Sequence, residues 1–229
     1  MFFHYQSPVR MTDNSRNDMQ RFDDKAAQWD ANALRAALAD AVSRAIIAHL
    51  PVSRPKNALE FGCGTGLVTM RISPHCSLLT AVDSSREMLK LLNEKTAAAS
   101  IVNIKPLYLD LSLPSAASEL DGSYDFVFSS MTLHHIPDTE EFLRQLYGLM
   151  SPGGTLAIGD LDAEDGLFHD DSTEKVHHGF ERNRLQEMLE TAGFLCVSFM
   201  TAHIIEKKNR EGRIASYPVF LVTAVKPIS

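Results

Sequence analysis

The sequence lacks three features that would assign it directly to a class of protein. Its three cysteines, Cys63, Cys76 and Cys196, form no CxxC pair, which disfavours a disulfide framework or a zinc site and favours reduced thiols in the cytoplasm. No apolar run approaches the roughly 20 residues that span a bilayer. The N-terminal stretch has neither the basic start nor the apolar core of a signal peptide. We therefore expect a cytoplasmic protein without a membrane partner.

Positive charge is also scarce. The chain has 22 Lys and Arg residues against 29 Asp and Glu residues, for a net charge of −7. A surface with this balance does not attract polyanions, so a nucleic-acid partner is disfavoured. The 229 residues, 45% of them hydrophobic, are enough for one large core. We expect a flexible arm over residues 1–20 and a single domain over residues 21–229.

Strand-like and helical stretches alternate along most of the chain. This alternation is typical of a parallel sheet with helices on both faces. The last two strands are joined by a short polar loop and must therefore be antiparallel. The prediction is an α/β fold with a Rossmann-like, doubly wound, seven-stranded sheet, mostly parallel with one antiparallel strand. The predicted strands are 57–61, 78–83, 105–110, 124–130, 155–161, 195–206 and 218–226, and the main predicted helices are 30–50, 84–95, 138–150 and 182–192.

Two local signals refine this prediction. Ser84 and Glu87 have the spacing of a capping box at the start of the helix over residues 84–95. Pro106 cannot donate a hydrogen bond to a neighbouring strand, so the third strand is expected at an edge of the sheet.

A glycine-rich loop, EFGCGTG at residues 60–66, follows the first strand. A dinucleotide fingerprint starting at Gly62 would require a glycine where Leu67 stands, and the Lys-Ser/Thr ending of a phosphate-binding Walker loop is absent. Glu60 makes the loop acidic, which suits a cationic or zwitterionic ligand better than a pyrophosphate. Asp83 ends the second strand, where an acid can accept hydrogen bonds from the ribose of NAD or of any adenosine cofactor.

The glycine loop resembles the first motif of class I S-adenosylmethionine-dependent methyltransferases. Further similarity follows in order over residues 55–200, in the segments AVDSS, PLYLDLS, YDFVFSSMTLHHIPD, LMSPGGTLAIGD and LQEMLETAGF. The resemblance implies S-adenosylmethionine as cofactor and methyl transfer to a small-molecule acceptor. It also implies a helical lid over residues 21–54, a cofactor-binding half over 55–161, and a substrate-side loop, last helix and strand pair over 162–229.

The resemblance assigns cofactor-binding roles by position. The backbone of the loop at Gly62, Cys63 and Gly64 would pass beneath the methionine part of the cofactor, oriented by Glu60. The other implied contacts are Asp83 to the ribose, Ser84 and Met88 beside the adenine, Asp110 and the Leu111 amide to the adenine ring, and Ser129 beside the methionine chain. Asp83 and Asp110 taken singly could equally be solvated acids at strand ends.

The residues on the acceptor side leave alternatives open. His134 and His135 follow the fourth strand, and each is either a general base or a residue that holds the loop by hydrogen bonds. The acids and histidines of residues 160–180 either bind a metal or a cationic acceptor or form a solvated loop; we favour the solvated loop and predict no metal site. Trp29 either closes the lid over the cofactor or docks the N-terminal helix.

Three functional classes remain in competition. The leading expectation is a methyltransferase, monomeric or homodimeric, that acts on a small molecule. SSMT after the fourth strand differs from the NPPY-like sequences of nucleic-acid base methyltransferases. The alternatives are a nicotinamide-dependent oxidoreductase and a non-catalytic S-adenosylmethionine-binding regulatory module.

Overall fold

A computed structural model of the chain describes residues 20–51, 53–110, 116–120 and 122–228. The predicted arm, except for residue 20, and the predicted adenine contact Leu111 lie outside the described residues. Within these ranges the chain forms one sheet of seven strands with helices on both faces. The strands are β1 (Asn57–Phe61), β2 (Leu78–Asp83), β3 (Ile104–Tyr108), β4 (Tyr124–Ser130), β5 (Met150–Leu161), β6 (Leu195–Lys208) and β7 (Ile214–Val225).

The strand order is β3-β2-β1-β4-β5-β7-β6. Strands β1 to β5 are parallel, and β7 runs antiparallel to both β5 and β6. The predicted Rossmann-like sheet with one antiparallel strand is confirmed. Because the order reverses between β1 and β4, the carboxyl ends of these two strands border the crevice where open α/β sheets bind ligands.

The central strands are apolar because both of their faces are covered. Phe126, Val127 and Phe128 in β4 are each fully buried, as expected for a strand packed between two layers of helices. Strand β3 lies at the edge of the sheet, and its Pro106 is opposite Ala81 of β2. The predicted edge position of β3 is therefore confirmed.

Helices from opposite ends of the chain cover the two faces. α2 packs closely against β5: a side chain added at Gly159 would place its Cβ 2.8 Å from Cγ1 of Val42. The helices are α1 (residues 20–25), α2 (Ala33–Ala48), α3 (Thr69–Ile72), α4 (Arg86–Ala98), α5 (Thr139–Leu149) and α6 (Arg182–Ala192). None of the helices in the described ranges has the length and apolar character that crossing a membrane requires.

The start of α4 differs from the prediction by one residue. The helix is capped by Ser85, whose hydroxyl accepts a hydrogen bond from the Met88 backbone N–H at 3.2 Å. The capping box predicted at Ser84 is wrong, because Ser85 is the residue whose extended backbone turns its side chain toward the first helical N–H groups. Ser84 is thereby left beside the crevice.

Candidate active site

A cavity of about 710 Å³ lies at the carboxyl ends of β1, β2 and β4. Three parts of the chain enclose it: the glycine loop, the N-terminal segment (residues 20–32) and the β5–α6 loop (residues 162–181). Its volume is in the range of about 300–1,000 Å³ that is usual for small-molecule sites. The crevice predicted from the strand order therefore contains a ligand-sized space.

The three loop glycines are required for different reasons. Gly62, Gly64 and Gly66 all have positive φ, at +67°, +53° and +85°, a region that costs other residues energy. A Cβ at Gly62 would lie 2.1 Å from the hydroxyl of Thr132, and one at Gly66 would lie 2.4 Å from Cδ1 of Leu92. A Cβ at Gly64 would meet no atom within 4 Å of it in the described structure. Gly64 therefore opens onto free space, whereas Gly62 and Gly66 permit close packing within the protein.

Glu60 is a buried carboxyl group directly before the loop, with only 1% of its surface exposed. Burial raises its pKa from the ordinary value of 4.5 to about 8, and the neighbouring Asp83 adds to the rise. One carboxyl oxygen, Oε2, has no hydrogen-bond partner within the described part of the chain. Burial also raises the pKa of the adjacent Cys63 thiol, so this cysteine lines the cavity as a neutral group.

Asp83 joins the glycine loop to the start of α4. Its Oδ2 accepts the Gly64 N–H at 2.7 Å, and its Oδ1 accepts the Ser85 N–H at 2.8 Å. Burial raises the pKa of this carboxyl group, whereas these two N–H donors lower it. Because each carboxylate oxygen can accept more than one hydrogen bond, Asp83 can orient the loop and still accept from a ligand.

The N-terminal segment closes the side of the cavity next to the glycine loop through two acids. Asp23 accepts from the Ser85 hydroxyl at 2.5 Å. Asp30 accepts from the Thr65 hydroxyl at 2.5 Å and from Lys95 at 2.7 Å. Trp29 lines the cavity and packs against Phe22, with 6.0 Å between the ring centroids. The segment is thus held against the glycine loop and α4, with its aromatic residues forming part of the cavity wall.

Three histidines meet on the opposite side of the cavity. His134 and His135 lie on the turn after β4, and the His134–His135 and His134–His169 ring centroids are 4.2 and 5.2 Å apart. His134 Nδ1 is 2.7 Å from Asp160 Oδ1, and its backbone N–H donates to the other oxygen of Asp160 at 3.2 Å. Burial and its cationic neighbours hold the pKa of His135 well below the usual value, so His135 is a weak base.

His169 forms a second histidine–carboxylate pair, on the β5–α6 loop. Its Nδ1 is 2.9 Å from Glu174, and this hydrogen bond is the main cause of the lowered pKa of Glu174. Glu174 also pairs with Arg21 at 3.0 Å and lies 3.9 Å from Lys25. The same carboxylate therefore connects the β5–α6 loop to α1.

The β5–α6 loop is closed at its base. Asp162 is bridged to Phe180, and the Ala163 N–H donates to the Phe180 carbonyl at 3.1 Å. Arg182 donates two hydrogen bonds of 2.7 Å to the Asp162 carboxylate. A Cβ at Gly179 would lie 2.1 Å from the Asp162 carbonyl oxygen. The two ends of the loop therefore form a narrow, fixed neck.

The acids of this loop have protein partners. Asp170 pairs with Lys207 and Asp171 with Arg21, while Glu164 accepts the backbone N–H groups of Leu167 and Phe168. In the ranges that the structure describes, no three His, Cys, Asp or Glu side chains are grouped as metal ligands. The loop is thus stabilised by ion pairs and capping hydrogen bonds.

Comparison with known proteins identifies sequences that are similar to this chain. Residues 59–156 match the methyltransferase domain family. The chain is 34% identical to an uncharacterized methyltransferase of Schizosaccharomyces pombe over 136 residues, covering 53% of this chain and 46% of the relative. It is 33% identical to an uncharacterized methyltransferase of Mycobacterium bovis over 144 residues, covering 62% of this chain and 66% of the relative. The chain thus spans about half the length of the first relative and just under two thirds of the second.

Residues 59–156 thus match a methyltransferase domain, and together with these relatives the match supports a class I S-adenosylmethionine-dependent methyltransferase. The fold of this methyltransferase domain is also that of the N-methyltransferase NodS from Bradyrhizobium japonicum in complex with S-adenosyl-L-homocysteine, with a TM-score of 0.67 over 94% of this chain and 100% of that chain. The identity between the two is 18%, so this likeness shows the shared fold alone.

The cavity of the methyltransferase domain brings most of the sequence-predicted site residues together. Among those within the described ranges, Ser129 is the exception: it is fully buried, and its hydroxyl donates to the Phe61 carbonyl at 2.8 Å. The next residue, Ser130, lines the cavity instead, because neighbouring strand residues point to opposite sides. The predicted residues that line the cavity are Trp29, Glu60, Gly62, Cys63, Gly64, Asp83, Ser84, Met88, Asp110, His134 and His135.

Several residues in or beside the cavity have no functional role in the prediction from the sequence. Asp160 was grouped with the solvated loop, but it is a fully buried residue of β5. The signal was present, since an acid within the apolar run TLAIGDL requires a buried partner. No local sequence pattern predicts that His169 pairs with Glu174 or that Arg35 lines the cavity. Both depend on how separate segments of the chain pack together.

The raised pKa of Glu60 predicts a pH-dependent stability. Between about pH 4.5 and pH 8 the folded protein holds a proton on Glu60 that the unfolded chain has lost. The contribution of Glu60 is therefore fully present below pH 4.5 and falls as the pH rises toward 8, by on the order of a few kcal/mol. Urea unfolding of wild type and Glu60→Gln at pH 5 to 9 measures it. We expect wild type to lose stability relative to Glu60→Gln as the pH rises. A difference between the two free energies of unfolding that stays constant with pH would contradict the raised pKa of Glu60.

Proposed function

We propose that this protein transfers a methyl group from S-adenosylmethionine to a small-molecule acceptor held in the cavity. The observation that carries the proposal is the convergence of Glu60, the glycine loop and Asp83 on one ligand-sized space. The match of residues 59–156 to the methyltransferase domain family supports the same activity. It also disfavours the nicotinamide-dependent oxidoreductase, which Leu67 in the glycine loop already disfavoured.

The residues present fit the proposed cofactor. The unpartnered oxygen of Glu60 and the open side of Gly64 leave room and an acceptor for the amino-acid end of the ligand. Asp83 would accept from the ribose hydroxyls, while Ser84 and Met88 would flank the adenine. Asp110 lines the same cavity and would contact the adenine amine. These roles rest on the family resemblance together with the placement of the side chains.

His134 is the residue that we assign to proton transfer. S-adenosylmethionine supplies a methyl group already activated on a sulfonium. With Nδ1–H donated to Asp160, the lone pair of His134 lies on Nε2 and can take a proton from a hydroxyl or other protonated acceptor. Asp160 acts as a positioning residue, because it fixes the ring through a side-chain and a backbone hydrogen bond. His135 is less suited, because burial weakens it as a base.

The acceptor is proposed to be small because of where the cavity lies. α1 crosses its acceptor side and is joined to the β5–α6 loop by Arg21 and Lys25, which leaves little space for a macromolecule. The net charge of −7 disfavours nucleic acid. The cytoplasmic location, the monomeric or homodimeric state and the division at residues 21–54, 55–161 and 162–229 stay predictions.

Ligand-induced stabilisation tests the proposal. S-adenosylmethionine and S-adenosylhomocysteine should each raise the melting temperature, with a free energy of about 2.7 kcal/mol at 100 times Kd. NADH at the same concentration is the matched control and should leave the melting temperature unchanged. Release of S-adenosylhomocysteine in a screen of small acceptors then measures turnover. A melting temperature that rises with NADH and not with S-adenosylmethionine would contradict the proposal, and binding without turnover across the screen would favour a regulatory module.

A further inference from the structure

The acceptor side of the cavity is positively charged within a negatively charged protein. Five basic side chains line this side, one from the stretch between Phe168 and Lys175 and four from other parts of the chain. The same stretch contributes three carboxylates. The protein as a whole has a net charge of −7. The basic residues are Arg21, Lys25, Arg35, Lys175 and Lys207, and the carboxylates are Asp170, Asp171 and Glu174.

Most of these basic residues are already engaged with the protein. Arg21 pairs with Asp171 at 2.8 Å and with Glu174 at 3.0 Å. Lys207 donates to the Phe168 carbonyl at 2.7 Å and to Asp170 at 3.0 Å. Their charge adds to the potential of the cavity, but their donors are in use.

Arg35 is different, because its guanidinium makes no ion pair within residues 20–228 as far as the structure describes them. The group lies over the Trp29 ring, 3.8 Å from the centroid, and it lines the cavity. Burial lowers its pKa, and the acid that offsets this effect, Asp170, is 85% exposed and paired with Lys207. An arginine nevertheless stays protonated at neutral pH. Within the described residues Arg35 is thus a half-buried cation that makes no ion pair.

We infer that the acceptor carries an anionic group, a carboxylate or a phosphate, which binds at Arg35. This inference rests on the proposed function, since it names the chemical class of the molecule that the methyltransferase would modify. A planar guanidinium held by an aromatic ring can give two parallel hydrogen bonds to either anion. A ligand anion would supply the direct ion-pair partner that the described residues do not, and the surrounding basic residues would favour its entry.

One other occupant of Arg35 must be separated from the acceptor. The amino-acid end of the cofactor also carries a carboxylate, and Arg35 lines the cavity that the cofactor would enter. The two cases differ in a measurable way, because 5′-methylthioadenosine keeps the nucleoside of S-adenosylmethionine and lacks that carboxylate.

The test is calorimetry on the full chain, alone and saturated with S-adenosylhomocysteine, at constant ionic strength. The probes are inorganic phosphate, 4-hydroxybenzoate and its uncharged methyl ester. We expect the acid or phosphate to bind at least about tenfold more tightly than the ester, with the stronger of the two identifying the anion. Arg35→Gln should weaken that binding about tenfold or more, and Arg35→Lys, which keeps the charge but not the paired hydrogen bonds, should restore only part of it. Arg44→Gln is the control, because Arg44 lies on the same helix, is 70% exposed and pairs with Asp40.

Each contrary outcome has a defined meaning. The inference is overturned if neither anion binds, if the ester binds as tightly as the acid, or if Arg35→Gln binds the anion like wild type. It is also overturned if Arg35→Gln weakens S-adenosylmethionine and leaves 5′-methylthioadenosine unchanged, because Arg35 would then serve the cofactor. Failure of the proposed function is distinct: wild type would bind neither S-adenosylmethionine nor S-adenosylhomocysteine, whatever the anions do.

Discussion

Gly62→Ala is expected to abolish S-adenosylmethionine binding, raising Kd by about 100-fold or more. The backbone at Gly62 has φ of +67°, and an added Cβ would lie 2.1 to 2.7 Å from three side-chain atoms of Thr132. The short, branched threonine has no flexible end to move aside, and its hydroxyl lies within hydrogen-bond distance of the Gly62 carbonyl at 3.4 Å. The loop must therefore shift away from the turn that carries His134.

The same substitution should also destabilise the fold, by about 2–4 kcal/mol from overpacking and backbone strain combined. Calorimetry with S-adenosylmethionine and urea unfolding measure the two effects separately. Gly212→Ala is the matched control: Gly212 also has positive φ, at +81°, but a Cβ there would meet no described atom within 4 Å, and it lies on the β6–β7 turn. A Gly62→Ala protein that binds the cofactor like wild type would refute the role of this close approach.

Asp160→Asn is expected to lower methyl-transfer turnover by about 100-fold or more while leaving the cofactor Kd within about threefold of wild type. Asp160 accepts from His134 Nδ1 at 2.7 Å and from the backbone of His134 and Leu161. An amide can present its NH₂ group to Nδ1 and reverse the tautomer, which removes the lone pair from Nε2. Turnover is read as S-adenosylhomocysteine release with an acceptor from the screen.

A structural role alone would give a different pattern. His134→Gln should lose turnover to a similar extent, also with the cofactor Kd close to that of wild type. Asp162→Asn provides the control, because Asp162 is two residues away and pairs with Arg182 rather than with a histidine. If His134→Gln turns over at the wild-type rate across the pH range, His134 is not the base.

The sequence was sufficient to predict the sheet because local signals and burial agree there. β1, β2 and β4 have the predicted bounds, since each is a short apolar run with a turn at its end. The antiparallel β7 followed from the length of one loop. The glycine loop was equally clear, because its positive-φ positions accept few other residues.

The features that could not be predicted depend on which of two adjacent residues takes a position, or on contacts between segments far apart in the sequence. Ser129 and Ser130 differ only in which side of β4 they face, and Ser84 and Ser85 differ by one position at the start of α4. The sequence could not select within either pair. Arg35 and Trp29 lie in one segment, but their position beside the β5–α6 loop arises from the folding of the whole chain. Composition gives the net charge of −7 and does not show that basic residues gather on one side of the cavity.

The β5–α6 loop can be replaced as a unit, because its base is closed. Its ends are fixed to each other by the Asp162–Phe180 bridge and the Asp162–Arg182 pair, so a replacement would be tethered at the same two points. The proposed cofactor residues Glu60, Asp83 and Asp110 lie in or just after earlier strands and would be untouched. Variants with other residues between positions 164 and 178 therefore offer a library in which acceptor preference changes while the methyl donor stays the same.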